Sequence, residues 1–207
     1  MAQQQENRVA VFDINGTLYS KSSKEEFFKY ICFKNGYKLL DIYHLITYKL
    51  LGKANLINQT KFKENFFNYL DGLSPDTVQK YAREYWSIEY PQYFNEQLMK
   101  RVKELREEGT QIICISGGLD VYIAALFDSL DVDAYYSTQT TYTNNTYKVV
   151  GEACKGQIKI DRLDKHFAGE PYRIVEAYSD DPELILEKAE RSYIVNPDGS
   201  LELFKPR

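Results

Sequence analysis

The chain has 207 residues, enough for one α/β domain carrying an insertion and too few for two large independent domains. Its net charge of −4, with both signs mixed throughout, leaves no basic stripe of the kind that binds nucleic acid. Hydrophobic residues make up an ordinary 43%, but aromatics reach 14% through 18 Tyr and 11 Phe, so their location matters.

Met1 to Arg8 contain no apolar core of the length a signal peptide needs. Arg8-Val-Ala-Val-Phe12 is a short apolar run ending in the polar, glycine-containing Asp13-Ile-Asn-Gly-Thr17, the pattern of a buried strand followed by a loop. From about residue 22 to 108 the periodicity is helical. The most membrane-like stretch, Tyr30 to Leu51, carries Lys34, Lys38, Asp41, His44 and Lys49, too many charges for a transmembrane helix. A soluble, cytoplasmic protein without membrane attachment is therefore expected. Ser74-Pro75 has the form of an N-cap and first helical residue, and the stripe Leu98, Val102, Leu105 stops at Gly109, a C-cap.

Gln111 to Ile115 is a second apolar strand, ending in Ser116-Gly117-Gly118 and followed by a helix from about Val121 to Leu130. Ala134 to Tyr136 starts a third strand, and Thr138 to Val150 has the form of a hairpin turning at Asn144-Asn145. A helix is expected from Gly156 to His166, a strand from Tyr172 to Tyr178, a helix starting at Pro182, and a strand from Ser192 to Val195. Strands alternating with helices predict a doubly wound parallel sheet, whose ligands lie beyond the carboxyl ends of the strands. Asp13, Ser116 and Asp180 all fall there. Cys32, Cys114 and Cys154 are odd in number and lack CxxC spacing, so they are read as free thiols of a reducing compartment. His44 and His166 have no partner at metal-ligand spacing and are read as structural.

Val11-Phe-Asp-Ile-Asn-Gly-Thr-Leu18 resembles the first motif of the haloacid dehalogenase superfamily, hhhDxDGT. Ser116 matches the second motif and Cys154-Lys-Gly-Gln-Ile-Lys159 resembles a C-x-G-x-x-K third motif. Tyr178-Ser-Asp-Asp181 resembles the acidic fourth, and Asn196-Pro-Asp198 the tail of the phosphoserine-phosphatase-like subfamily. The resemblance spans the whole chain. It implies a Rossmann-like core of residues 1–21 and 109–207, with 22–108 as an inserted helical cap hinged near 19–21 and 106–110. Most of the aromatics fall in that cap (Tyr30, Phe33, Tyr37, Tyr43, Tyr48, Phe62, Phe66, Phe67, Tyr69) and are expected to form its packing.

The resemblance also implies roles. Asp13 is the expected nucleophile, attacking a small phosphorylated metabolite to give an aspartyl-phosphate. Mg²⁺ is the expected cofactor, held by Asp13, the Asn15 carbonyl and Asp180 or Asp181, with Asp180 preferred as nearer the strand end. Ser116, the Gly117 N–H and Thr17 are the expected phosphate contacts, with Ser116 and Gly117 at a helix N-terminus. Lys159 is the expected cation, and Lys155 its nearest rival.

Two features depart from the family pattern. Asn15 stands where the family has the acid/base Asp, and an amide can neither protonate a leaving oxygen nor deprotonate water. Asp180 and Asp181 are adjacent where relatives have two acids about three residues apart, which implies a missing second carboxylate. The expected activity is therefore a weakened phosphatase. A silent phosphate-binding module and a phosphotransferase are the alternatives, and Asn15 is open to two origins, natural divergence or an engineered trap. A receiver domain is disfavoured because its Asp lies on a later strand.

Overall fold

The structure, a computed structural model, describes residues 6–35 and 68–204. His44, the middle of the cap and the aromatics Tyr37, Tyr43, Tyr48, Phe62, Phe66 and Phe67 lie outside the described residues. In chain order the strands are β1 (Asn7–Phe12), β2 (Gln111–Leu119), β3 (Ala134–Thr138), β4 (Thr140–Thr143), β5 (Thr146–Val149), β6 (Tyr172–Ser179), β7 (Arg191–Val195) and β8 (Leu201–Leu203). The helices are α1 (Ser23–Lys34), α2 (Pro75–Glu89), α3 (Glu96–Glu107), α4 (Asp120–Ile123), α5 (Gln157–Phe167) and α6 (Leu184–Glu187).

Six strands form one sheet in the order β3-β2-β1-β6-β7-β8, parallel except for β8. The doubly wound α/β architecture expected from the sequence is what the chain adopts. β1 is apolar at consecutive positions because both its faces are covered. Val9 and Val11 pack with Ile113, Ile115, Ile160 and Leu163, while Ala10 and Phe12 pack with Ile112, Cys114, Leu98 and Leu105 on the other face. From central β1 the chain steps to β2 on one side and later to β6 on the other, so a crevice opens at the carboxyl end of β1.

Several local readings hold. Ser74 accepts a hydrogen bond from the Thr77 N–H ahead of Pro75, and Gly109 follows α3 at φ +74°. Asn144 and Asn145, at φ 52° and 60°, turn the β4–β5 hairpin in the left-handed conformation that matches strand twist. The hairpin tip docks on the insertion: the Gly72 N–H donates to the Asn145 carbonyl (2.8 Å) and the Tyr147 hydroxyl to the Leu73 carbonyl (3.0 Å).

Others are corrected. β2 does not end at Ile115 but runs on through Ser116-Gly117-Gly118 to Leu119, with its register against β3 shifting after Ile115. The helix expected over Val121–Leu130 is one α-turn, α4, that tightens into a 3-10 segment at Ala124–Asp128. Pro182 does not open a helix, because Glu183 stays extended at φ −134° and ψ 156° and α6 starts at Leu184.

The insertion shares its core with the sheet. Phe27, Ile31, Val78, Ala82, Tyr85 and Trp86 join the same apolar cluster as Ala10, Phe12 and Tyr122. The Trp86 indole N–H donates to the Tyr122 carbonyl at 2.7 Å. α3 lies on the sheet itself. At Tyr93–Asn95 the chain is tied to the loop after Asp13, the Ser20 N–H donating to the Tyr93 carbonyl and the Asn95 N–H to the Leu18 carbonyl. No disulfide joins Cys32, Cys114 and Cys154, all of which are buried. His166 is engaged by the Tyr136 hydroxyl at its Nδ1 (2.7 Å), in keeping with a structural role. Among the described residues no helix is long and apolar enough to cross a membrane.

α3 is fastened to the sheet by a buried carboxylate. Glu176 on β6, 2% exposed, accepts from Arg101 Nε (3.0 Å) and Nη2 (2.9 Å) and from the Tyr178 hydroxyl (2.6 Å), and it pairs with Arg191 (2.6 Å). Burial alone would raise the Glu176 carboxyl. The hydrogen bonds from Arg101 and Tyr178 outweigh it and hold the group below the usual carboxylate range. Breaking a fully buried pair costs roughly 3–5 kcal/mol, and the solvent left to the two arginines lowers the expectation to about 2–3 kcal/mol for Glu176→Gln. Urea denaturation midpoints compared at a common m-value check this. A loss under about 0.5 kcal/mol, the scatter of ordinary surface changes, would mean that α3 does not depend on this anchor.

Candidate active site

Asp13 is the first residue beyond β1, and its N–H continues the ladder to β6 through the Tyr178 carbonyl at 3.0 Å. Its carboxylate is fixed at both oxygens: Oδ1 accepts from the Ile14 N–H (2.5 Å) and Oδ2 from Lys159 Nζ (2.7 Å). Lys159 lies in the first turn of α5 and is only 2% exposed. Its ammonium also pairs with Glu183 Oε2 at 2.6 Å. Burial works against the charge on Lys159, but Asp13 and Glu183 more than offset it and hold the group above the usual lysine range. Of the two lysines, Lys159 is the one that reaches Asp13, while the Lys155 side chain lies along Gly117.

Glu183 is a site residue that the sequence reading passed over. Glu183 follows Asp180 by three positions, near the spacing of the family's paired acids, but its partner Lys159 is distant in the sequence. A second acid thus lies close to Asp180 in Asp180-Asp-Pro-Glu183, presented to Lys159 by the extended backbone after Pro182.

Asp180 stands against the loop after Asp13. Gly16 adopts φ +68°, and a side chain there would collide with the Asp180 carboxylate. Desolvation, then the charges of Asp13 and Asp181, push the Asp180 carboxyl up to about 6. Asp181 is exposed, its N–H donating to Ser179 Oγ at 3.4 Å. Among the described residues no group of three or more His, Cys, Asp or Glu gathers as a metal cluster. What lies together is a pair of carboxylates, Asp13 and Asp180, near enough for the charge of one to act on the other. Such a set suits Mg²⁺, which commonly keeps several waters and takes one or two carboxylates.

Asn15 and Ser116 meet across the crevice, with Asn15 Nδ2 donating to Ser116 Oγ at 3.3 Å. Asn15 Oδ1 accepts from the Ser23 N–H (2.8 Å) at the start of α1, which ties the loop after Asp13 to that helix. Ser116 is 1% exposed and its Oγ also accepts from the Gly118 N–H at 3.1 Å. Gly117 is held by its carbonyl, which accepts from Thr138 Oγ1 at 3.0 Å. The expectation that Ser116 and Gly117 sit at a helix N-terminus is corrected: they are extended, and α4 starts only at Asp120. Thr17 is buried, and its hydroxyl makes no hydrogen bond among the described residues, so nothing links it to Ser116.

Chemically, the crevice brings together a carboxylate held by a buried ammonium, a second carboxylate beside it, and the Ser116 hydroxyl. The order of these residues along the chain matches a known family. Residues 10–183 fit the model of the haloacid dehalogenase-like hydrolases. No curated protein sequence matches the chain. Among solved structures, a protein of unknown function from Bordetella pertussis Tohama I superposes with a TM-score of 0.77 at 16% identity, over 91% of this chain and 89% of that one. A phosphoserine phosphohydrolase-like protein from Francisella tularensis gives 0.61 at 20% identity, over 89% and 85%. A substrate-bound phosphoserine phosphatase gives 0.60 at 17%, over 91% and 85%. At these identities the structures share the fold, and the family model decides membership: this chain belongs to the haloacid dehalogenase-like hydrolase family.

Proposed function

We propose that the protein is a Mg²⁺-dependent phosphatase of small phosphomonoesters, working through an aspartyl-phosphate on Asp13 with turnover weakened by Asn15. The observation that carries this reading is the Asp13–Lys159–Glu183 triad at the carboxyl end of β1, with Asp180 beside it. The phosphatase chemistry of the superposed structures named above supports the substrate class. In the proposed division 1–21 and 109–207 form the core, and 22–108 is the inserted segment, whose last helix, α3, lies on the sheet.

In this reading Asp13, the Asn15 carbonyl and Asp180 hold Mg²⁺, which when bound supplies positive charge to a phosphoryl oxygen. Asp13 Oδ attacks phosphorus, a P–O bond to Asp13 forms, and the P–O bond to the leaving alcohol breaks. Lys159 keeps Asp13 ionised and aimed. Ser116 and the Gly117 N–H bind phosphoryl oxygens from the far wall. The departing alkoxide then needs a proton, and water attacking the phosphoenzyme must lose one. Asn15 provides for neither, a deficit of about 10²–10⁴ in rate. A silent phosphate-binding module is the second reading, favoured by the engagement of the Asn15 amide at both ends.

Two outcomes are expected. Asp180→Asn should weaken Mg²⁺ binding at least about tenfold in calorimetric titration, because one of the two carboxylates is lost. If Asp181→Asn weakens it instead, the ligand assignment moves to Asp181. Aryl phosphates, whose leaving groups need little protonation, should load Asp13 in a burst and then stall, and Asn15→Asp should speed the second step by about 10²-fold or more. Asn15-Gly16 is prone to deamidation, so mass spectrometry of the peptide containing residue 15 must accompany the assay. Equal alkyl-phosphate turnover by intact protein and Asn15→Asp would refute this account of Asn15. An absence of burst and turnover in both would leave the binding-module reading standing.

A further inference from the structure

Asn15 does more than lack a proton. Its amide orientation is settled by its neighbours: the Ser23 N–H requires an acceptor, so Oδ1 faces α1 at 2.8 Å and Nδ2 must face Ser116. A hydroxyl oxygen accepts two hydrogen bonds and donates one. Ser116 Oγ accepts from Asn15 Nδ2 (3.3 Å) and from the Gly118 N–H (3.1 Å), so both acceptor positions are taken. Neither of those donors can receive the Ser116 hydrogen. Among the described residues no acceptor takes that hydrogen, and in a 1% exposed residue on the wall of the crevice it is left for a ligand oxygen. An aspartate at position 15 would reverse the polarity, because its carboxylate would accept the Ser116 hydrogen and remove the donor from the ligand.

We infer that Asn15 is a positioning residue that fixes the Ser116 hydroxyl as a donor to a tetrahedral oxyanion, so that this chain retains orthophosphate more tightly than its Asn15→Asp variant. The inference rests on the phosphate-site reading proposed above and adds a specific consequence: the amide that slows turnover strengthens oxyanion retention. The binding free energy passes through one hydroxyl, so it can be separated from the charge an aspartate introduces.

The test is a ³¹P NMR titration of orthophosphate with the full chain in magnesium buffer, which reads weak as well as tight binding. Four proteins are compared: the parent, Asn15→Asp, Ser116→Ala and the double variant. Repulsion between a carboxylate at position 15 and phosphate acts in both serine and alanine backgrounds, so it cancels in the cycle. Asn15→Asp should weaken binding about tenfold or more in the serine background, since a hydrogen bond to a charged ligand is lost as well. In the Ser116→Ala background the same substitution should cost at least about threefold less, a coupling typical of contacting residues. Equal losses in the two backgrounds, or no loss in the first, overturn the inference while leaving the phosphate site in place. If none of the four binds orthophosphate, the phosphate-site reading falls and the inference with it.

Discussion

The buried ammonium of Lys159 is the constraint around which the rest of the site is arranged. At 2% exposure, with Asp13 at 2.7 Å and Glu183 at 2.6 Å, it has exchanged water for two carboxylates. An unpaired charge in that position would cost several kcal/mol, so the end of β1, the first turn of α5 and the loop after β6 are bound to one relative placement. The triad carries a net charge of −1, and Asp180 adds to it beside Asp13. A carboxyl held up to about 6 in such a place is a group short of positive charge. A phosphate dianion approaching this crevice meets repulsion unless a further cation is present, which is why the metal belongs to the proposal.

The backbone supplies the geometry that side chains alone could not. Gly16 at φ +68° lets Asp180 close over the loop after Asp13 without a Cβ in the way. Pro182 and the extended Glu183 keep α6 from starting early, and that delay is what carries the Glu183 carboxylate back to Lys159. β2, by running on to Leu119, keeps Ser116 and Gly117 extended, so the far wall of the crevice presents a hydroxyl and single amides in place of a helix terminus.

How much of this was readable in advance divides by physical origin. The parallel sheet, the Ser74 and Gly109 caps and the Asn144-Asn145 turn follow from periodicity and local backbone preference, which a single sequence displays directly. Asp13 stood out from its place just past an apolar strand, whereas Ser116 and Lys159 were picked out by resemblance to the second and third motifs, and the Lys159 contact with Asp13 appears only in three dimensions. Glu183 was not legible, since its role depends on a three-dimensional partner, Lys159, and because a glutamate one methylene longer reaches where an aspartate was sought. The short α4 and the packing of α3 on the sheet were hidden for a related reason: the helical pattern of Val121–Leu130 and of α3 reports which face is apolar, not what that face packs against. α3 shows apolar residues at 98, 102 and 105 whether it faces a cap or a sheet. Only Arg101, reaching Glu176, distinguishes the two.

One short loop carries both the chemistry and the attachment of the insertion. Between Asp13 and Ser23 it delivers Asn15 to Ser116, and within the next few residues it sends Tyr19 and Lys21 to Glu89 on α2, at 2.6 and 2.8 Å. Glu89 is only 9% exposed, and the Tyr19 hydroxyl is held far from ionisation by burial and by the Tyr85 and Glu89 contacts. The loop cannot shift to reposition α1 or α2 without disturbing Asn15, and Asn15 cannot leave Ser116 without disturbing the N–H of Ser23. Movement of the insertion and polarity at the Ser116 hydroxyl are therefore mechanically one variable. In the reading proposed above, in which the insertion would select the ester and Ser116 would hold the oxyanion, the two properties should respond together to changes along residues 15–23.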